Sequence, residues 1–138
     1  MSRQDRTLFI VKPDAVERNL IGRILAHVEE AGFHLIAGRY TRLEKAQAEE
    51  FYAEHKERPF FGELVAYMTS GPVFLTALEG DGGPLRLREV IGSTDPAQAA
   101  EGTVRKRFGR DKGKNWVHAS DSVASAEREI KLFFGNEL

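Results

Sequence analysis

An α+β fold, a four-stranded antiparallel sheet with helices on one face, is what the sequence predicts, and three observations predict it. The 138-residue chain is long enough for one compact domain with its own core and too short to expect two, so residues 1–138 read as a single domain. Short β-rich runs alternate with helix-spaced apolar stripes in the order strand, helix, strand, two helices, strand, helix, long loop, strand, helix. Those runs make two β-α-β units in tandem, the second with a long excursion, which is the pattern of a ferredoxin-like α/β sandwich.

Each element has its own signal. The run Thr7 to Val11 is apolar and β-forming and is stopped by Pro13, so it reads as a buried strand with Lys12 at its carboxyl end. Leu20, Ile24, Leu25, Val28 and Ala31 recur at helical spacing up to Gly32, a glycine stop. A second strand covers roughly Phe33 to Leu43. Glu44 to Glu54 is a charged surface helix, and a second helix restarts after Pro59 with Phe60, Leu64, Val65 and Met68 on one stripe, making a helical hairpin. "GPVFLTALE", bounded by Gly71, Pro72 and Gly80, is a third strand, and Leu85 to Ile91 a short helix. Residues 92–115 are loop-like, glycine-containing and basic, and a loop that long within a compact domain is more often functional or disordered than idle. Trp116 to Ala119 is the last strand. Val123, Ala126, Ile130 and Phe133 mark a final helix, with Ser120, Asp121 or Ser122 available as its cap.

Composition narrows the chemistry. Apolar residues make up 41% and charged residues 30% with a net charge of −1, the balance of an ordinary globular protein, so bulk charge names no partner. Cysteine is absent, which excludes disulfides, thiolate nucleophiles and cysteine-bound zinc. No signal core or stretch of about 18 apolar residues is found, and a cytoplasmic protein without a membrane partner is the expectation. Locally, Arg105, Lys106, Arg107, Arg110, Lys112 and Lys114 crowd one segment that suits an anion. "GRDKGKN", Gly109 to Asn115, is not a phosphate-binding P-loop, because three residues separate the glycines where four are needed and Asn115 stands where Ser or Thr is required.

Of His27, His34, His55 and His118, none has metal-ligand spacing. His118 stands out because it ends a short strand beside the small residues Ala119 and Ser120, which leave space around an imidazole. Glu129 lies two helical turns past Ser122 on the same face, within reach of His118 in one reading and a solvated partner of Arg128 or Lys131 in the other. A neutral imidazole attacks through one nitrogen while a carboxylate or hydroxyl holds the proton on the other, a scheme His118, Glu129 and Ser120 fit. Lys12, Arg88, Thr94 and Arg105 are complements for a nucleoside triphosphate, arginine and lysine being what phosphoryl transfer needs since its transition state spreads charge over oxygens that fixed cations stabilise. Each taken singly also reads as an ordinary surface residue.

Six stretches taken in order, "RTLFIVKPDAV", "FYAEHKERPFF", "LVAYMTSGPV", "REVIGSTDPAQA", "EGTVRKRF" and "NWVHASDS", resemble the nucleoside diphosphate kinase family across essentially the whole chain. The resemblance implies a ferredoxin-like fold with an added helical hairpin and a long nucleotide-binding loop. It also implies transfer of the γ-phosphate from a nucleoside triphosphate to a diphosphate by a ping-pong route through a phosphohistidine, with His118 in that position. On the same footing Lys12, Arg88, Thr94 and Arg105 hold the phosphates, with Tyr52 beside Lys12. Asn115 and Lys12 contact the ribose, Phe60 stacks on the base, Leu64 lines the base entrance, and Ser120 and Glu129 orient the histidine. Lys112 would sit against the base, where the family commonly has an apolar residue, and Ala119 and Arg107 are further departures from its pattern.

Mg²⁺ is expected to arrive on the nucleotide phosphates, with no metal site of the protein's own. The implied partners are ATP and other nucleoside tri- and diphosphates. Copies of the chain itself are also implied, in a homo-oligomer expected to be a tetramer rather than a hexamer or dimer. The alternative is a non-catalytic ferredoxin-like module that binds nucleotides or single-stranded nucleic acid, although nucleic acid is not the main partner expected.

Overall fold

The computed structural model describes residues 5–92, 100, 102–104, 106 and 117–135. Thr94, Arg105, Arg107, Lys112, Asn115 and Trp116, and with them the body of the expected long loop, lie outside the described residues.

In chain order the elements are β1 (Arg6–Val11), α1 (Pro13–Glu17), α2 (Ile21–Glu30), β2 (His34–Thr41), α3 (Lys45–Phe51), a 3₁₀ turn (Ala53–His55), α4 (Phe61–Met68), β3 (Val73–Glu79), α5 (Gly83–Ile91), β4 (Val117–Ala119) and α6 (Val123–Phe134). The four strands form one antiparallel sheet in the order β2-β3-β1-β4, which is the ferredoxin-like arrangement expected. α1 was not anticipated. Pro13 ends the strand and also occupies the first helical position, where its missing N–H costs nothing.

Caps explain several boundaries. α2 gives way at Gly32, whose φ of 99° is the left-handed conformation that favours glycine. α3 starts with a reciprocal capping box between Glu44 and Gln47, and α6 with Ser122, whose Oγ accepts from the Ser125 N–H at 3.1 Å. Of the three cap candidates for the last helix, Ser122 is the one used.

Helices cover one face as expected, and the helical hairpin and last helix cover the other. β1 is buried on both sides: Phe9 and Val11 pack with Ala15, Ile24, Val28, Leu87 and Ile91 from α1, α2 and α5, whereas Leu8 and Ile10 pack with Phe51, Met68, Ile130, Phe133 and Phe134 from α3, α4 and α6. Successive strand side chains point to opposite faces, so an unbroken apolar run needs cover on each. The hairpin and the last helix supply the second layer, and that layer is where the candidate site is built.

Candidate active site

The register of the two central strands places the site. Ile10 of β1 pairs with His118 of β4, and Phe9 and Val11 pair with Ala119 and Val117. Val117 and Ala119 therefore enter the α2/α5 layer, while His118 and, two residues on, Ser120 face the α3/α6 layer. There the ring edge of Phe51 meets the imidazole with centroids 4.7 Å apart.

Glu129 comes to His118 from α6. Its Oε1 lies 3.0 Å from His118 Nε2 and accepts from Ser120 Oγ at 2.7 Å, and the carboxylate is 6% exposed. Ser120 is fully buried and its Oγ also accepts from the Leu8 N–H at 3.2 Å, which anchors the hydroxyl to β1. Ser120 thus acts on the carboxylate, and through it on the histidine. With Nε2 donating to Glu129, the imidazole lone pair sits on Nδ1. The solvated-partner reading of Glu129 is half right as well: its second oxygen is 3.6 Å from Arg128 Nη2.

Lys12 follows β1 directly and its backbone carbonyl accepts from the N–H groups of Ala15 and Val16, so the start of α1 fixes its place. The side chain is 7% exposed, with Nζ 6.0 Å from the centre of the Tyr67 ring. Tyr67 was not foreseen. Its position three residues after Leu64 on the α4 stripe was the available signal. Tyr52, expected beside Lys12, is buried against Phe51 with ring centroids 4.8 Å apart. Burial first and the Glu129 charge second push its phenol well above the usual range.

Arg88 of α5 donates from Nη1 to the Ala119 carbonyl at 3.0 Å, which brings a guanidinium to the end of the histidine strand. Next to it Asp121 is held below the usual carboxylate range, by the Ser125 hydrogen bond above all, with the Ser122 hydroxyl and the Arg88 charge adding to it against partial burial.

Phe60 is 44% exposed at the start of α4. A succession of ring contacts leads to it from His118 through Phe51, Tyr52 and His55, the last two steps being 6.4 Å and 5.7 Å between centroids. Leu64 is half-buried and packs on the core of that layer. The structure therefore gathers His118, Glu129, Ser120, Tyr52 and Arg88 around one strand end, with Lys12 on the adjoining strand and Phe60 on the hairpin. Phe51 and Tyr67 are the neighbours that reasoning from sequence missed, together with the link from Arg128 to Glu54. Among the described residues no three His, Asp or Glu side chains group to hold a metal ion, and no helix is long and apolar enough to cross a membrane.

Comparison with known proteins gives a consistent result. Residues 5–138 match the family model described as nucleoside diphosphate kinase. The chain is similar to the nucleoside diphosphate kinases of Methylobacterium radiotolerans, 55% identical over 94% of this chain and 93% of that one, and of Paracoccus denitrificans, 56% identical with the same coverage. Among solved structures, the Aquifex aeolicus nucleoside diphosphate kinase superposes with a TM-score of 0.93 at 48% identity, covering 96% of each chain. The Halobacterium salinarum enzyme in complex with CDP gives the same TM-score at 43% identity, covering 97% of this chain and 90% of that one.

Proposed function

The chain belongs to the nucleoside diphosphate kinase family, and from that premise we propose that His118 is the residue that carries the phosphoryl group between nucleotides. The activity is transfer of the γ-phosphate of a nucleoside triphosphate to a nucleoside diphosphate, which sets aside the non-catalytic alternative. The observation that carries the histidine reading is the 3.0 Å contact of Nε2 with Glu129, itself held by Ser120. That contact favours the Nε2–H tautomer and directs the lone pair to Nδ1.

In the first half-reaction Nδ1 forms a bond to the γ-phosphorus. The bond from that phosphorus to the β–γ bridging oxygen breaks, its electron pair leaving on the diphosphate. In the second half a terminal oxygen of an acceptor diphosphate attacks the phosphorus and the N–P electron pair returns to the imidazole. The proton stays on Nε2, hydrogen-bonded to Glu129, throughout, so no proton need be moved to make or discharge the phosphohistidine.

Lys12, Arg88, Thr94 and Arg105 are proposed to hold the phosphates, and Tyr52 to close the pocket behind them. Buried or strand-anchored cations act strongly on transition-state charge because they are already in place when it develops. Support comes from Lys12, 7% exposed, and from Arg88, fixed on the Ala119 carbonyl. Asn115 and Lys12 are proposed for the ribose, and Phe60, Leu64 and Lys112 for the base. An exposed ring such as Phe60 offers a face any base can stack on, which suits a broad nucleotide range. The family generally uses a divalent metal. We take it to be Mg²⁺, entering as part of the nucleotide, where it neutralises charge on the phosphate oxygens.

One family model covers residues 5–138, which supports a single domain. A cytoplasmic location is proposed on the same reading, since the substrates are soluble nucleotides. A homo-oligomer, tetrameric by expectation, is supported by Leu35 and Tyr40 on strand β2 at the sheet's edge, 44% and 60% exposed, and light scattering tests it. For the nucleophile the test is incubation with γ-labelled ATP alone. An acid-labile label on the parent protein that is missing from His118→Ala is expected, and a parent that takes up no label would sink the proposal.

A further inference from the structure

Glu129 has two oxygens, and the site described so far uses one of them. Oε1 takes both His118 and Ser120, while Oε2 faces Arg128 Nη2 at 3.6 Å. The same guanidinium nitrogen donates to Glu54 Oε1 at 2.8 Å. Glu54 belongs to the 3₁₀ turn Ala53–His55 that follows α3 and leads to Phe60, whereas Arg128 belongs to α6. One guanidinium therefore joins the hairpin to the carboxylate that holds the histidine. The rings of Tyr52, His55 and Phe60 run along the same hairpin segment, so the base seat and this ion pair share one piece of chain.

We propose that Arg128 is a positioning residue: anchored by Glu54, it holds Oε2 of Glu129 so that Oε1 stays turned to His118 and Ser120, and it ties the hairpin bearing Phe60 to the nucleophile. This rests on the reading of His118 as the phosphate carrier. Charge gives the link a second effect. Glu129 is faced by His118 from β4, Tyr52 from the end of α3 and Arg128 from α6, and His118 also has Arg88 of α5 at its strand end and Lys12 on the adjoining strand. Tyr52 is kept neutral by burial, so Arg128 is the cation at Glu129 Oε2, and it adds to Lys12 and Arg88 in offsetting the carboxylate at His118. Without it the imidazolium gains stability from a less compensated carboxylate, and less of the neutral nucleophile is present at a given pH on the acid side.

Arg128 and Glu54 are 41% and 58% exposed, so the link is modest and screened by salt. The experiment is single-turnover phosphorylation of the full chain by γ-labelled ATP across the acid limb of the pH profile, with parent, Arg128→Met, Arg128→Lys and Glu54→Gln. Arg128→Met is expected to move the limb to higher pH and slow phosphorylation there roughly two- to five-fold, with KM for ATP unchanged. Arg128→Lys restores most of the parent profile, Glu54→Gln moves it part of the way in the same direction, and raising salt carries the parent toward Arg128→Met. An Arg128→Met profile that overlays the parent's, a defect confined to KM, or one that Lys does not restore overturns the proposal. NMR titration of the His118 ring in parent and Arg128→Met reads the same displacement without turnover. If the parent took no label, the carrier reading would fall, while an unmoved ring titration would refute the Arg128 link on its own.

Discussion

Glu129 Oε1 and His118 Nε2 stand 3.0 Å apart, a carboxylate delivered by a helix to a histidine on a three-residue strand. The contact fixes the imidazole tautomer and favours its protonated form. Replacing Glu129 with Gln keeps the volume and removes the charge. Phosphorylation by labelled ATP is expected to slow by about 10- to 100-fold, the usual cost of losing a partner that orients a reactive histidine. The acid limb of the rate profile moves to lower pH, opposite in sign to the Arg128→Met shift, because the imidazolium has lost its counter-charge. A profile that stays in place would argue against Glu129 as the orienting group.

Ser120 carries a structural share of the same arrangement. Its buried Oγ accepts from the Leu8 N–H at 3.2 Å and donates to Glu129 at 2.7 Å, so Ser120→Ala strips a partner from two buried groups at once. A buried group left unsatisfied costs about 1–3 kcal/mol. Urea unfolding should show a loss in that range, together with weakened phosphorylation. An unchanged midpoint would mean that neither bond matters to the fold.

How much of this could be read from the chain depends on the distance over which each signal acts. Local signals were legible: Pro13 after Val11, Gly32 after α2 and the Ser122 cap are decided by neighbours a few residues away. The pairing of His118 and Glu129 was legible as one of two readings, because the small residues Ala119 and Ser120 and the face of α6 lie close in sequence. Contacts that depend on layer packing were not. Phe51 against His118, Tyr67 near Lys12 and Arg128 between Glu54 and Glu129 all require knowing that the hairpin and α6 cover the sheet's second face. Its sign was present in the unbroken apolar run Leu8 to Val11, which has no side left for water.

Phe60, proposed to stack on the base, offers a test that separates binding from chemistry. It is 44% exposed and lies at a helix start, so truncation to Ala leaves the core intact. Stacking on a base contributes about 1–3 kcal/mol, and KM should rise by about 5- to 150-fold for purine and pyrimidine nucleotides alike while kcat changes little. Steady-state kinetics with ATP, GTP, CTP and UTP checks this. A rise limited to one base would assign Phe60 a selective contact instead.

Gly80 tests packing beside the sheet. A Cβ built there falls 2.5 Å from Phe33 Cδ1, and Phe33 is 1% exposed, so the ring has little room to yield. Gly80→Ala is expected to cost about 1–3 kcal/mol, read as a lower Tm, with the phosphorylation rate of the folded fraction unchanged because Phe33 belongs to the layer opposite His118. A parent-like Tm would show that Phe33 has a second place to go.

Tyr52 ties the site to alkaline stability. Its phenol, ordinarily titrating at 10.0, is raised in the folded protein by burial and then by the Glu129 charge. Below pH 10 both folded and unfolded chains keep the proton, and the stability linked to this group is fully present. Above that pH the unfolded chain ionises first, which draws the equilibrium toward unfolding, so stability falls as pH rises toward the folded value. Tyr52→Phe removes the ionisation from both states. Its unfolding free energy, followed by urea titration from neutral pH to beyond 10, should therefore decline less steeply than the parent's. Parallel declines in the two proteins would mean that Tyr52 titrates in the folded state as it does in the unfolded one, and that neither its burial nor Glu129 holds the proton in place.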